Sequence, residues 1–284
     1  MRIWVALMAA VLGLSLSVYA GEDAKAEQAK AVSKRIGGME VIALLDGVGI
    51  NDGSTDILVG AGKEDLERAA QPDGLKTSIN AFVVKIGGKT VLFDTGMPIA
   101  QSGGIVPALA EADLGPDDID AVVITHFHYD HVGGLMHRGQ PVYPRAELYV
   151  PRVEVNKWSD AGTDFLLAYN VRTNAFEDRK EILPGVTAMA AYGHTPGHTV
   201  FLLESDGGKL LIAGDLIHLP GVQLANPDVA VTYDTDPVKA VASRKRVFEM
   251  AADKKLPIAA MHIPFPGIGT LAKDGKGYAF TEMK

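Results

Sequence analysis

The chain has 284 residues and a formal net charge of −8, with 47% hydrophobic and 22% charged residues. This mixture is too apolar and too evenly charged for an intrinsically disordered protein. Because the sequence contains no Cys, a disulfide scaffold, a thiolate metal site and a cysteine nucleophile are excluded. The acidic balance, with no basic tract to offset it, argues against nucleic acid as a partner.

The first 20 residues have the pattern of a secretory signal peptide. A positive start at Arg2 precedes an apolar run over residues 3–18, and Val18-Tyr19-Ala20 fits the small-x-small cleavage rule. The run is short for a membrane anchor, which needs roughly 17–25 apolar residues. We therefore expect residues 1–20 to be removed. Residues 21–284 should then form a single domain, periplasmic or secreted, without stable membrane association.

Strands and helices alternate along the rest of the chain. In its first half, a helix is predicted at residues 105–114 and strands at residues 39–45, 79–86, 89–94, 121–125 and 147–150. The dipeptide Gly87-Gly88 is typical of a tight hairpin turn. The strand at 121–125 is continuously apolar, so we expect it to be buried on both faces.

The second half continues the same alternation. Strands are predicted at residues 186–191, 199–204, 209–213 and 257–261. A helix should begin after Asp236, with Pro237 in its first turn, and run to Lys254. Residues 53–76 and 151–183 are the least regular and are interpreted as loops or as helices that wall a site. Strands mixed with helices in both halves predict an α/β domain whose sheets are covered by helices.

Side chains of metal-ligand type follow four of these strands. They are His126, His128, Asp130 and His131 after the strand at 121–125, and His194, Asp215 and His262 after three others. Imidazole nitrogen and carboxylate oxygen suit Zn²⁺ and similar divalent ions. A solvated His-rich loop would explain the first cluster but not ligand types at three further strand ends. The pattern therefore predicts a metal site built from loops at one edge of a sheet.

The segment THFHYDHVGGL at residues 125–135 resembles the HxHxDH signature of the metallo-β-lactamase fold superfamily. The segments VLFDTG at 91–96 and GHTPGH at 193–198 follow in that family's order. The resemblance covers residues 39–284 and implies a four-layer αββα sandwich with two metal ions at one edge. It implies one ion bound by His126, His128 and His194, a second bound by Asp130, His131 and His262, and Asp215 bridging them.

The C-terminal third resembles the methyl parathion hydrolase branch, which contains exported organophosphate hydrolases and related lactonases. The segments FPGIG at 265–269 and GKGY at 275–278 carry this resemblance. It implies a hydrolase that cleaves lactones or other esters, including N-acyl homoserine lactones or organophosphate triesters, by a metal-bridging hydroxide. Relatives of this kind suggest a homodimer. The expected cofactors are two divalent ions, Zn²⁺ first, with Mn, Fe or Co also suited to the donor set.

Three residues are assigned roles in the chemistry. Asp130 and Asp215 should hold the two metal ions together. His218 stands where some lactonase relatives carry a substrate-contacting Tyr, so it is predicted to contact the substrate, with an ordinary loop His as the alternative. Asp94 either orients a ligand or caps a turn.

Other functions fit the same fold. They are a β-lactam hydrolase, a thioester hydrolase and a non-catalytic periplasmic metal-binding protein. A bridging Asp215 argues against the first, because β-lactam hydrolases generally lack that carboxylate.

Overall fold

The computed structural model describes residues 30–50, 55–101, 104–158 and 163–284. The predicted signal peptide, residues 1–20, lies outside these ranges. The helices within them are α1 (Lys63–Ala69), α2 (Ile105–Ala110), α3 (Tyr129–Val132), α4 (Arg152–Trp158), α5 (Asp164–Tyr169), α6 (Pro220–Gln223) and α7 (Pro237–Asp253). Among the described residues, no helix combines the length and the apolarity needed to cross a membrane.

The N-terminal half of the chain forms a seven-stranded mixed sheet. In spatial order its strands are β1 (Lys30–Ile36), β2 (Met39–Ile50), β4 (Lys76–Ile86), β5 (Lys89–Phe93), β6 (Ala121–Val123), β9 (Glu147–Pro151) and β10 (Thr173–Phe176). The pairs from β5 to β10 are parallel and the others are antiparallel. The carboxyl ends of β5, β6 and β9 therefore point to the same edge.

The C-terminal half forms a second seven-stranded sheet. In spatial order its strands are β11 (Glu181–Leu183), β12 (Val186–Ala190), β13 (Thr199–Ser205), β14 (Gly208–Ile212), β16 (Pro257–Ala259), β17 (Ile268–Asp274) and β18 (Gly277–Glu282). Two short ribbons complete the strands, one of β3 (Leu58–Val59) with β15 (Ala230–Val231), the other of β7 (Met136–His137) with β8 (Gln140–Pro141).

The strand side chains alternate between two separate cores. In β2, Val41 and Ala43 pack between the two sheets, whereas Ile42 and Leu44 pack under the helices that cover the first sheet. The second sheet also has two buried faces. Its inner face packs against the first sheet, and its outer face packs on Val247, Phe248 and Ala251 of α7. Because successive side chains point to opposite faces, strands that are apolar throughout are needed between two packed layers. The four layers are those of the predicted αββα sandwich.

Most predicted elements are confirmed, with the differences at their ends. The predicted hairpin turn at Gly87 (φ 57°) and Gly88 (φ 74°) forms, and a second one joins β13 to β14 at Asp206 (φ 45°) and Gly207 (φ 77°). All four residues adopt positive φ, as a type I′ turn requires. The Asp236 side chain accepts a hydrogen bond from the Lys239 amide and begins α7 as predicted.

The prediction for residues 105–114 was too long. The helix α2 ends at Ala110, and residues 111–114 form its C-terminal cap. Leu114 N donates to Leu109 O, Asp113 N donates to Ala110 O, and Asp113 has a φ of 55°. This pattern is that of a Schellman motif. The two regions predicted to be loops or helices contain helices, α1 in the first and α4 and α5 in the second, together with strands that were not predicted, β3, β10 and β11.

Candidate metal centre

The loops after β6, β12, β14 and β16 meet at one edge of the sandwich. His126 follows the end of β6 after two residues, His128 is the residue before the first turn of α3, and Asp130 and His131 lie within that single helical turn. The other three predicted ligands follow β12, β14 and β16 within a few residues. The fold therefore brings all seven predicted ligand residues together, although the four loops that carry them are far apart in the sequence.

The seven side chains form two compact groups. In each group the potential ligand atoms all lie within 4.8 Å of one another. The first group contains His126, His128, His194 and Asp215, and the second contains Asp130, His131 and His262. The family resemblance implied the same division into two groups. The one difference is that Asp215, which was expected to bridge the groups, falls in the first group by distance.

Asp215 lies between the two groups. Its Oδ2 is 3.3 Å from His194 Nε2 in the first group and 3.2 Å from His262 Nε2 in the second. Its Oδ1 is 3.1 Å from His131 Nε2. The carboxylate is only 3% exposed, so solvent does not screen these contacts. Oδ1 therefore faces the second group and Oδ2 faces both groups, so this carboxylate is placed where two neighbouring cations could share it.

Asp215 and the imidazoles around it stabilise each other's charged forms. Burial alone would raise the pKa of Asp215, but the surrounding imidazoles, His131 foremost, hold it well below its usual range. Burial would lower the pKa of His131, and the carboxylates around it, Asp215 foremost, raise it well above its usual range. Burial lowers the pKa of both His126 and His128 well below 6.5, and neighbouring imidazoles lower it further. His126 and His128 therefore present neutral rings, which is the ligand form.

Several buried polar atoms of the site have no hydrogen-bond partner among the described residues. They include His131 Nε2 and Asp215 Oδ1, which lie 3.1 Å apart but outside the geometry of a hydrogen bond. In the first group, His194 Nε2 lies 2.9 Å from His128 Nδ1 and 3.2 Å from His126 Nε2. Such contacts bring ring nitrogens together with too few protons to satisfy all of them, and a buried unsatisfied polar atom is costly. A divalent cation in each group would resolve both features, so the donor set fits two metal ions.

The rings of His131 and His126 are oriented by a shared network. His131 Nδ1 lies 2.7 Å from Asp94 Oδ2, and His126 Nδ1 lies 2.9 Å from Thr125 Oγ1. Thr125 donates its own hydroxyl and amide protons to the two Asp94 oxygens, each at 2.8 Å. Asp94 therefore orients a ligand ring, which decides between the two roles open for it. Carboxylate partners of this kind set the tautomer of metal-binding imidazoles.

His194 and His262 are oriented by different partners. His194 Nδ1 lies 3.0 Å from Asp234 Oδ1, and His262 Nδ1 lies 2.9 Å from the Ser78 carbonyl oxygen. With Nδ1 held in this way, Nε2 of each ring faces Asp215. Burial lowers the pKa of His194, but Asp215 and Asp234 outweigh it and raise that pKa to about 9.

Two further histidines complete the surroundings of Asp215. His218 Nε2 lies 3.2 Å from Asp215 Oδ2, and neither of its ring nitrogens has a hydrogen-bond partner among the described residues. Burial lowers the pKa of His218 to about 4, so its ring is neutral. His198 accepts a hydrogen bond from the Asp215 amide at 2.9 Å and its Nδ1 contacts Ala191 O. His198 therefore fixes the backbone that carries the bridging carboxylate.

Sequence reasoning assigned no role to Asp234, Ser78 or Glu154. Ser78 acts through its carbonyl oxygen, which any residue type offers, so no side-chain signal could identify it. Asp234 lies 40 positions from the ring it orients. Glu154 lies in the region that was predicted to be irregular, yet it is fully buried beside the first group.

Comparison with known proteins agrees with this geometry. A sequence profile of the family described as "Metallo-beta-lactamase superfamily" matches residues 75–262. An N-acyl homoserine lactonase from Bacillus sp. is 26% identical over 190 residues, which are 58% of this chain and 73% of the lactonase. An endoribonuclease, ysh1 of Schizosaccharomyces pombe, is 27% identical over 191 residues, which are 57% of this chain but only 25% of that protein.

A solved structure resembles most of the molecule. AidC, described as a dizinc quorum-quenching lactonase in complex with a homoserine product, superposes with a TM-score of 0.83 at 25% sequence identity. The match covers 91% of this chain and 99% of AidC. The similarity therefore includes both sheets and the edge at which the two ligand groups lie.

Proposed function

The chain belongs to the metallo-β-lactamase superfamily, and we propose that it is an exported dinuclear metallohydrolase that opens lactones. Other esters and organophosphate triesters are secondary substrates of the same site. The observation that carries the proposal is the position of Asp215, whose two oxygens lie 3.1–3.3 Å from ring nitrogens of both ligand groups. A site for one ion would need four ligands, whereas seven are present.

The residues that would hold the ions are those of the two groups, with Asp215 shared. When bound, divalent ions polarise a carbonyl or phosphoryl oxygen and lower the pKa of water toward neutrality. Asp94 and Asp234 keep the ring nitrogens of His131 and His194 aimed into the site. Ligands held in place in this way need little reorganisation when charge develops on the substrate.

His218 is the protein's own polar contact for the substrate in this proposal. Its ring is neutral, lies beside Asp215 and leaves both nitrogens without a partner among the described residues. A neutral imidazole N–H can donate a hydrogen bond to a carbonyl oxygen or to the departing alkoxide. Breaking a lactone produces a carboxylate and an alcohol on one molecule, so a donor held near both oxygens assists ring opening.

Lactones are preferred over the alternatives for three reasons. The AidC likeness covers the whole site region, and that protein is a lactonase. The net charge of −8 disfavours a polyanionic RNA substrate, and the likeness to the endoribonuclease covers only a quarter of that protein. The proposed bridging role of Asp215 disfavours a β-lactam hydrolase. A homodimer and Zn²⁺ as the native metal also belong to the proposal.

The test is a substrate panel with the purified, Zn²⁺-loaded chain. The panel contains N-acyl homoserine lactones, simple lactones, an aryl ester, paraoxon, a thioester and a β-lactam. We expect the highest kcat/KM on lactones. Asp215→Asn should lower kcat by about a hundredfold or more, and His218→Ala should lower it about tenfold without metal loss.

Two results of this panel would contradict the proposal. A higher kcat/KM on the β-lactam or the thioester than on the lactones would indicate a different branch of the superfamily. A protein that binds two ions tightly but turns over nothing in the panel would favour the metal-binding alternative.

Export is proposed from the N-terminal pattern alone. We expect protein recovered from its native host to lack residues 1–20 and to begin at Gly21. Intact-mass spectrometry of the periplasmic and culture fractions measures this directly. An unprocessed N-terminus in a membrane fraction would contradict it.

A further inference from the structure

Glu154 is a buried charge without a place in the ligand set. It lies on α4 and is 0% exposed. Within the described part of the chain its carboxylate accepts backbone amides and forms no ion pair with Lys or Arg. Burial raises the pKa of Glu154 above its ordinary value, and the hydrogen bonds that it accepts oppose this rise. Burying a carboxylate is costly, and the cationic group that lowers its pKa is the ring of His194, one of the first-group ligands.

The two oxygens of Glu154 bind two different loops of the metal centre. Oε2 accepts a hydrogen bond from the Phe127 amide at 3.0 Å, and Oε1 accepts one from the Gly197 amide at 2.5 Å. Phe127 stands between His126 and His128, and Gly197 follows His194 by three residues. One side chain therefore connects the two loops that supply all three imidazoles of the first group.

The second loop is shaped to receive this carboxylate. A Cβ atom at Gly197 would lie 2.8 Å from Glu154 Oε1 and 2.7 Å from Glu154 N, closer than real Cβ contacts. The glycine in the segment GHTPGH is therefore required for contact with Glu154. This observation is independent of the hydrogen bonds and points to the same pairing.

The first group also has less negative charge than the second. Apart from the shared Asp215 it contains only imidazoles, with Asp234 behind His194, whereas the second group has Asp130 of its own as well as Asp94 behind His131. A carboxylate held just behind the ligand loops would stabilise a cation there, and the cation would in turn stabilise the charged carboxylate. Hydrogen-bonded residues behind metal ligands typically change metal affinity by about 10–100-fold.

We infer that Glu154 is a positioning residue for the first metal group, connecting its two ligand loops and supplying negative charge that the group lacks. The inference rests on the proposed function, because it presupposes that the two groups bind divalent ions. It predicts that loss of Glu154 weakens metal binding at the first group only, whereas a general role in folding would affect both groups.

The test titrates Co²⁺ and Zn²⁺ into the metal-free full-length chain. Calorimetry gives the affinity of each binding event, and the visible spectrum of Co²⁺ reports its ligand geometry. His128→Ala and His262→Ala identify which event belongs to which group. Glu154→Gln should weaken binding at the first group by about 10–100-fold and alter its Co²⁺ spectrum, with the second group unchanged.

A matched control is Asp65→Asn. Asp65 is another buried carboxylate, 2% exposed, and it accepts hydrogen bonds from Gly62 N at 2.9 Å and Asn226 Nδ2 at 2.8 Å, but it contacts no ligand loop. This variant should lose stability and keep both metal affinities. Glu154→Asp, which keeps the charge but cannot reach both loops, should give an intermediate loss at the first group.

Gly197→Ala perturbs the same contact from the other side and should reproduce the selective loss. Gly47→Ala is its control, since a Cβ there meets nothing within 4 Å. If Glu154→Gln and Gly197→Ala leave the first event unchanged, or weaken both events equally, the inference is wrong. A wild-type chain that binds no divalent ion would overturn the proposed function as well, so the two failures are distinguishable.

Discussion

At the scale of single residues, hydrogen-bond partners determine which nitrogen of each imidazole is free. Asp94 illustrates this, since its two oxygens accept protons from Thr125 and leave Oδ2 also facing His131 Nδ1 at 2.7 Å. A carboxylate can only accept, so His131 keeps a proton on Nδ1, and Nε2, which faces Asp215, is the nitrogen that a metal ion would use. The residue adopts a φ of 57°, a conformation that Asn and Asp tolerate better than other residues.

Asp94→Asn is therefore a test of tautomer control. The variant keeps the shape and the backbone conformation, but an amide N–H₂ facing His131 favours the proton on Nε2, where the metal should bind. We expect metal affinity at the second group to fall by about 10–100-fold while the fold is retained. Calorimetric metal titration measures this.

The control for Asp94→Asn is Asp120→Asn, because Asp120 Oδ2 accepts only a backbone amide, from Thr90 at 2.8 Å. That control should leave metal binding unchanged. Equal affinities in Asp94→Asn and the wild type would show that Asp94 does not set the tautomer.

At the scale of elements, the site depends on how closely loops approach helices. Gly193 has a φ of 129°, and a Cβ there would lie 2.0 Å from the Ala240 amide nitrogen in α7. Its carbonyl accepts the Asp236 amide at the start of that helix, and the His194 carbonyl accepts the Thr235 amide. The first turn of α7 therefore fixes the loop that carries His194.

Gly193→Ala should separate α7 from this loop. We expect a loss of about 2–4 kcal/mol in the free energy of unfolding, from overpacking and backbone strain together, with weaker metal binding at the first group. Gly139→Ala is the control, because Gly139 has a φ of 76° but nothing within 4 Å of a Cβ. It should cost only the backbone strain of about 1–2 kcal/mol. Equal losses in chemical denaturation of the two variants would contradict the account.

Individual strands and loops also differ in how well sequence patterns predict them. The strands at 39–45, 79–86 and 121–125 were predictable because burial on both faces demands continuous apolar runs. The ligand loops were predictable because His and Asp at strand ends are chemically distinctive. The strands β17 and β18 were missed because residues such as Lys273 and Thr281 interrupt the apolar pattern on an exposed edge.

The partners of the ligands were harder to predict for a different reason. Glu154 and Ser78 act on backbone amides or through a backbone carbonyl, so their roles depend on which loops the fold brings together. Arg244 shows the same limit. It is 1% exposed, and its guanidinium donates to the carbonyl oxygens of Leu216, Pro227 and Val229. These contacts join α7 to the loop after Asp215, and no local pattern indicates them.

At the scale of the whole molecule, the two sheets meet at an edge that concentrates charge. Both halves of the chain contribute ligands, since the first sheet supplies His126, His128, Asp130 and His131 and the second supplies the other three. A bound ion therefore links the two sheets, and metal binding to the native state alone should stabilise the entire fold. At a free metal concentration about 1,000 times Kd, the gain is about 4 kcal/mol per ion.

Removing the metal should consequently lower Tm, and the size of the effect should depend on pH. In the metal-free protein the pKa of His194 is raised to about 9, above the ordinary 6.5. Its proton therefore stabilises the metal-free fold fully below pH 6.5, and this contribution is lost as the pH rises through about 9. Metal binding must displace the same proton, so metal affinity rises over the same interval.

Loss of the His194 proton therefore widens the stability difference between the Zn²⁺-loaded and the metal-free protein as the pH rises. We expect the Tm of the Zn²⁺-loaded protein to exceed that of the chelator-treated protein by roughly 10 °C near neutral pH, and this gap to widen from pH 6.5 to pH 9. Differential scanning calorimetry at fixed free Zn²⁺ measures the gap. His194→Ala should reduce it and remove part of its pH dependence, because one competing proton is gone while His131, whose pKa is also raised, still carries another. A gap that does not widen from pH 6.5 to pH 9 would contradict a raised pKa of His194 in the metal-free fold.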